Sequence, residues 1–215
     1  MAASLGLVAL SGSEAEAMLA FGALAVLAVV LLLWADRGEG GADLALWPAL
    51  GFLLRLVAEP LSWGGAYAAF RGQEIALRAP ETAAPLTVSL LLGLGLIVSA
   101  AAAFRALRPG VDRLSGLGFG VAAVLVAPVT AAVLELLWNP TPVLGAYPWA
   151  LQVIALAAVM VALALRFAKA DGEDRRRAAH ATLSALALIA LALFLITTKT
   201  ALTLALAVLA LVAAV

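Results

Sequence analysis

The sequence predicts an all-α protein, namely a polytopic bundle of transmembrane helices with six full spans and a partial seventh. Of the 215 residues, 66% are hydrophobic and 12% are charged, against roughly 45–50% and about 25% in soluble domains. Apolar runs long enough to cross a bilayer recur along the whole chain. These runs lack the period-two alternation of a membrane β-barrel, so helices remain as the way to satisfy the backbone in lipid.

Residues 1–215 form a single predicted transmembrane region, in which polar or Gly- and Pro-bearing segments separate seven apolar runs. The predicted spans are 16–35, 45–70, 86–104, 115–138, 147–168, 178–197 and the partial 201–215.

Signals at the ends of the first four runs agree with helices. Ser13 and Glu16 form a capping box, in which each side chain binds a backbone N–H that has no helical partner. Asp43 precedes the second run, and Ser115 opens the fourth. The third run lies between the polar segments RGQEIALRAPETAAP and RALRPGVDR.

The remaining runs are bounded by proline and by charge. NPTPVLG ends the fourth run, because proline cannot donate the next helical hydrogen bond. KADGEDRRR separates the fifth run from the sixth, and TTKT precedes the last. That last run ends at Val215 after about 15 apolar residues, short of the roughly 20 that span a bilayer. We therefore expect a piece of a longer protein; the alternative is a short terminal helix packed inside the bundle.

Aromatic and basic residues indicate how the bundle lies in the membrane. Trp34, Trp138, Tyr147 and Trp149 fall at predicted helix ends, where amphipathic rings favour the membrane interface. Alternate loops carry nine basic residues on one side and three on the other. Because cytoplasmic loops are enriched in Lys and Arg, loops 105–113 and 169–177 are predicted to be cytoplasmic.

Composition also argues against several functions. The net charge is zero, which gives no reason to expect a nucleic-acid partner. The chain has no cysteine and one histidine, His180, so thiolate chemistry and a His-rich metal cluster are excluded. No cofactor motif and no Ser/His/Asp set is recognisable. An enzyme acting on a lipid-linked substrate therefore stays an unfavoured alternative.

The most informative stretch is LLRLVAEPLSW, because it places Arg55, Glu59 and Pro60 inside an apolar run. A charge at the bilayer centre costs about 2.5–3.5 kcal/mol on insertion scales. A spacing of four puts Arg55 and Glu59 on one helical face, where they can pair. Pro60 has no N–H and so frees the carbonyl of Leu56.

Two interpretations of this stretch remain open. In the first, Arg55 and Glu59 form a polar site in the bundle interior that binds an ion, a proton or an anionic head group. In the second, which we favour, the helix breaks at Pro60 and the two charges form a structural ion pair at a membrane boundary.

The fourth run contains a second carboxylate and a second proline. Glu135 lies one turn before Trp138, and Pro128 frees the carbonyl of Val124 and predicts a break or bend. Interrupted helices with polar residues mark the binding sites of transporters. A cluster of Arg55, Glu59 and Glu135 is therefore the candidate site of a transporter or channel module.

The segment from LLWNPTPVLGAYPW through ADGEDRRRAAHATLSALALIALALF to TKTALTLALAVLALVAAV resembles the bacterial membrane-protein family of domain of unknown function 2339. The resemblance covers roughly residues 130–215. It implies a bacterial inner-membrane location within a long array of transmembrane helices, and it transfers no catalytic residue.

The function expected from the sequence is structural. A scaffold portion of a larger inner-membrane protein is favoured, because five of the six spans hold at most one charge centrally. Its expected partners are membrane lipids and other transmembrane helices, either of the same longer chain or of an oligomer.

Overall fold

The structure is a computed structural model that describes residues 14–34, 44, 46–62, 85–108, 113–172 and 175–197. The regular structure in these ranges is helical throughout, and no strand occurs in them. The α-helices are α1 Glu14–Trp34, α2 Leu46–Ser62, α3 Pro85–Ala106, α4 Arg113–Val133, α5 Thr141–Leu144, α6 Ala146–Asp171 and α7 Arg176–Ile196. A π-helical turn, Leu134–Trp138, continues α4.

Five of the helical segments in the described ranges are long and apolar enough to cross a membrane. They are Ala17–Trp34, Pro85–Ala106, Gly118–Trp138, Ala146–Asp171 and Arg176–Ile196. The all-helical membrane class is thus supported, whereas six full spans and a partial seventh are not confirmed. Of the predicted span 45–70, the structure describes the helix Leu46–Ser62, and residues 63–70 lie outside the described residues. The predicted run 201–215 lies outside the described residues.

The chain divides into two compact units, Met1–Val143 and Leu144–Val215. In the first unit, α1 packs against α2 and α3, and α4 packs against the same two helices. The four helices therefore form a closed ring in the order α1, α2, α4, α3. Its interior contains Phe21, Phe52, Leu56, Leu91 and Leu134, all fully buried.

The closest approach in the ring joins α3 and α4 at small residues. A Cβ atom placed on Gly95 would lie 2.6 Å from Thr130 Oγ1 and 3.0 Å from Thr130 Cβ. One turn further along α3, the Ser99 hydroxyl accepts a hydrogen bond of 2.9 Å from the Ala127 amide. Small residues let helix backbones approach where lipid removes the hydrophobic drive for association. This contact therefore fixes the register of α3 against α4.

The second unit is an antiparallel pair of helices, α6 and α7. The buried face of α6 consists of residues spaced three or four apart: Trp149, Val153, Leu156, Met160, Ala164 and Phe167. The buried face of α7 has the same spacing but is mostly alanine: Ala178, Ala181, Ala185, Leu188 and Ala192. Large side chains of one helix thus meet small ones of the other, which permits close packing.

A charged clamp closes the turn between these two helices. Arg177 Nε donates a 3.0 Å hydrogen bond to Asp171 Oδ2, and its Nη2 donates to the other carboxylate oxygen. The guanidinium carbon also lies 5.0 Å from the centre of the Phe167 ring. Between them, Gly172 has a φ of 60°, a backbone conformation that glycine adopts without steric cost.

Replacing Gly95 by Ala is expected to lower the free energy of unfolding by about 1–3 kcal/mol, since the added methyl group overlaps Thr130. Gly93 is the matched control, because a Cβ there meets nothing within 4 Å. Gly93→Ala should raise stability by up to about 1 kcal/mol through helix propensity. Unfolding of the two variants in mixed micelles of increasing dodecyl sulfate content measures both effects. Equal stability of the two variants would contradict the proposed close contact.

Replacing Asp171 by Asn is expected to loosen the start of α7 by about 1–3 kcal/mol, because a charge-assisted bidentate bond is lost. Hydrogen exchange of the Ala179 amide, which donates to the Arg175 carbonyl at 2.9 Å, reports that local stability. Lys169→Gln, at an exposed residue of the same helix end, is the control. If both variants exchange at the parent rate, the clamp does not stabilise the turn.

Candidate functional site

Arg55 and Glu59 form the ion pair that their spacing predicts. Arg55 Nη2 lies 2.6 Å from Glu59 Oε2, and the two side chains are 4% and 13% exposed. Both residues belong to α2 and are separated by one helical turn. Burial of a single charge in an apolar interior has a high desolvation cost. Because Arg55 and Glu59 are paired, each charge offsets much of that cost for the other.

Aromatic side chains from three parts of the ring surround the pair. The guanidinium carbon of Arg55 lies 5.9 Å from the centre of the Phe21 ring of α1. Phe21 makes edge-to-face contacts with Phe52, at 5.8 Å, and with Trp138, at 6.1 Å. The negative face of an aromatic ring attracts a cation, and edge-to-face contacts are the favoured geometry between rings. Arg55 is thus held by the Glu59 carboxylate and lies beside the Phe21 ring.

Trp138 completes the cluster by bonding the backbone of α2. Its indole Nε1–H donates a 2.9 Å hydrogen bond to the carbonyl of Leu56, and the bond is buried. Leu56 O is the acceptor that lacks its helical donor because Pro60, four residues later, has no N–H. The proline therefore creates an open acceptor within α2, and a side chain from the end of α4 fills it.

Neither proline ends its helix. Pro60 lies inside α2, which continues to Ser62, and Pro128 lies inside α4, which continues to Val133. The structure describes helix on both sides of each proline, and a break or bend at Pro60 or Pro128 stays a prediction. At Pro60 the bond from Trp138 replaces the missing helical donor.

Glu135 lies in the π-helical turn, half-buried and three residues before Trp138. This turn packs against α2, the helix that carries Arg55 and Glu59. It ends at Asn139, whose φ of 46° is left-handed, a conformation that asparagine tolerates better than most residues at a helix end. A direct bond between Glu135 and the ion pair stays a prediction.

The sequence assigned Trp138 to the membrane interface, and this assignment missed its role. Trp138 is 4% exposed and Trp149 is fully buried, whereas Trp34 and Tyr147 are 61% and 75% exposed. The signal that identifies Trp138 is the open carbonyl before Pro60, because a buried acceptor needs a donor from a neighbouring helix. Tryptophan is the apolar side chain that supplies an N–H for that purpose.

No group of three or more His, Asp or Glu side chains in the described ranges is placed to hold a metal ion. Comparisons with protein-family models, with curated proteins and with solved structures found no match to this chain. The resemblance to the family of domain of unknown function 2339 therefore stays a prediction.

Trp138→Phe is expected to lower the free energy of unfolding by about 1–3 kcal/mol, because a buried carbonyl loses its donor while the ring contact with Phe21 is kept. Pro60→Ala supplies a backbone N–H for the same carbonyl, so the cost of Trp138→Phe should be smaller by about 1 kcal/mol in that background. A double-mutant cycle of unfolding free energies measures this coupling.

Trp34→Phe, at an exposed tryptophan, is the control for removal of an indole. Strictly additive effects of Trp138→Phe and Pro60→Ala would show that the indole does not compensate for the proline.

Proposed function

We propose that this chain is a structural membrane module, a scaffold portion of a larger bacterial inner-membrane protein that packs with lipids and with other transmembrane helices. The observation that carries the proposal is that three buried polar contacts of the four-helix unit pair protein groups with one another. Arg55 is bonded to Glu59, the Leu56 carbonyl to Trp138, and the Ala127 amide to Ser99.

This pattern is typical of groups that define an arrangement of helices. Leu- and Ala-rich helices can pack in several similar registers, because their apolar faces differ little from one another. The Trp138–Leu56 bond and the Ala127–Ser99 bond each join different helices, so they are satisfied in one register only and select it. A transport site, in contrast, needs polar groups that can exchange their partners for a solute.

The outward surface supports the same proposal. Large apolar side chains point away from the helix contacts, among them Leu19 and Leu136 in the first unit and Leu151 in the second, which are 73%, 79% and 67% exposed. Such surfaces suit acyl chains and partner helices. In this proposal, loops 105–113 and 169–177 are cytoplasmic because of their arginines and lysine.

A transporter or channel module is the second candidate, and the π-helical turn favours it. Such turns occur frequently at functional sites, and this one carries Glu135 against the helix of the ion pair. Glu59 is also less buried than Arg55, with side chains 13% and 4% exposed. In this candidate, Glu59 is the titrating group and Arg55 is its counter-ion.

The two candidates differ in what Arg55→Met and Glu59→Gln do. For a structural pair, each single replacement is expected to cost about 3–5 kcal/mol, because it leaves an uncompensated buried group, and the double replacement is expected to be nearly neutral. Unfolding in mixed micelles gives the stabilities, and proton and solute flux in liposomes gives the activity. We expect no flux from the parent or from the double variant.

Glu135→Gln tests the third residue of the candidate transport site. It is expected to leave both stability and the absence of flux unchanged. A parent that conducts protons, with Glu59→Gln and Glu135→Gln folded but inactive, would establish the transporter instead.

A further inference from the structure

An apolar groove runs along the outside of the contact between α2 and α4. It encloses about 380 Å³, and its lining is almost wholly apolar. Matching stripes at spacings of four and three form its walls: Leu46, Leu50 and Leu53 on α2, and Gly118, Ala122 and Leu125 on α4. Its rims are open, since Leu50 and Leu125 are 46% and 45% exposed. The groove is therefore accessible from outside the bundle.

The dimensions of the groove match one lipid chain. An engineered cavity of about 150 Å³ holds one benzene molecule, so the groove has room for about fifteen carbon atoms. Its lining on α4 extends from Gly118 to Val126, which is about 12 Å at 1.5 Å per residue. One leaflet of a bilayer core is about 15 Å deep. An acyl chain of one leaflet fits this length and volume.

One end of the groove lies where α3 ends and α4 begins. A Cβ atom on Gly118 would lie 3.3 Å from Leu46 Cδ1, so the first turn of α2 closes on α4 at that point. Trp47 lines the same end and is 54% exposed. A half-exposed tryptophan is typical of the level of the lipid head groups. The head group of a lipid seated in the groove would thus lie at this end.

This end of the four-helix unit carries positive charge. The guanidinium carbon of Arg105 lies 5.6 Å from the ring centre of Phe119, the residue after Gly118. Arg108, three residues beyond Arg105, lies 4.8 Å from the ring centre of Phe104. Arg105 is buried, at 6% exposed, whereas Arg108 is half-buried and is the cation at the end of α3 that can attract an anionic head group.

We propose that the groove between α2 and α4 binds one anionic phospholipid, with an acyl chain along Leu50 and Ala122 and its phosphate at the end where Arg108 lies. The proposal shares with the proposed function only the placement in a membrane. It holds whether the Arg55–Glu59 pair is structural or transports a solute, and lipid preference is measured separately from flux.

Tryptophan quenching by brominated lipid tests the proposal. The full chain is reconstituted in phosphatidylcholine vesicles that contain either brominated phosphatidylglycerol or brominated phosphatidylcholine. Comparison of the parent with Trp47→Phe isolates the signal of Trp47. We expect quenching of Trp47 by the anionic lipid at lower mole fraction, with a preference of about fivefold for each arginine near the phosphate.

Two variants and their controls locate the site. Ala122→Leu fills the groove and should abolish the preference, whereas Ala100→Leu, on an exposed position of α3, should keep it. Arg108→Gln should lower the preference about fivefold, whereas Arg175→Gln, at an exposed arginine of the second unit, should leave it unchanged.

Three results would overturn the proposal. The first is a parent without any preference between the two lipids, and the second is a preference that survives both Ala122→Leu and Arg108→Gln. The third is occupation of the groove by a second copy of this protein. Because the chain has no cysteine, Ala122→Cys introduces one thiol, and disulfide-linked dimers in vesicles would identify a second copy in the groove.

Discussion

The hydrogen bond from the Trp138 indole to the Leu56 carbonyl is the interaction on which the four-helix unit depends. It joins residues that are 82 positions apart, and it connects the end of α4 with the middle of α2. Without it, α2 would have a buried open acceptor one turn from an ion pair. With it, Pro60 is accommodated inside the helix, and the Phe21 and Phe52 rings pack around Arg55.

The contact between α3 and α4 also includes a bond from a side chain to a backbone group near a proline. Pro128 interrupts the hydrogen-bond ladder of α4, and the adjacent Ala127 amide bonds to Ser99 of α3. Close packing at Gly95 brings the two helices near enough for this bond. In both places, a proline lies in a helix whose backbone bonds to a side chain of a neighbouring helix. At Pro60 the bonded group is the carbonyl that the proline frees, whereas at Pro128 it is the amide of the preceding residue, Ala127.

The sequence predicts the helices well, because a long apolar run in lipid has few other conformations that satisfy its backbone hydrogen bonds. The end of the fourth run at Asn139 follows from the proline after it, and the i, i+4 spacing predicts the pair of Arg55 and Glu59. The partner of the Leu56 carbonyl could not be predicted, since it depends on which helix faces α2. Helices that are apolar all round carry little information about which face is buried. The α-to-π change after Val133 has no sequence signal that we recognise.

The two halves of α2 lie in different surroundings. Its first half presents Leu46, Leu50 and Leu53 to the outer groove, while its second half contributes Arg55 and Glu59, both shielded from solvent. Over its 17 described residues, this helix carries a charged pair in its second half. Lipid offers no polar partners to these charges. Contacts with α1, α4 and the π-helical turn surround α2 with protein instead. The position of α2 in the ring is therefore determined by protein partners, which explains why the charged pair can lie within an otherwise apolar unit.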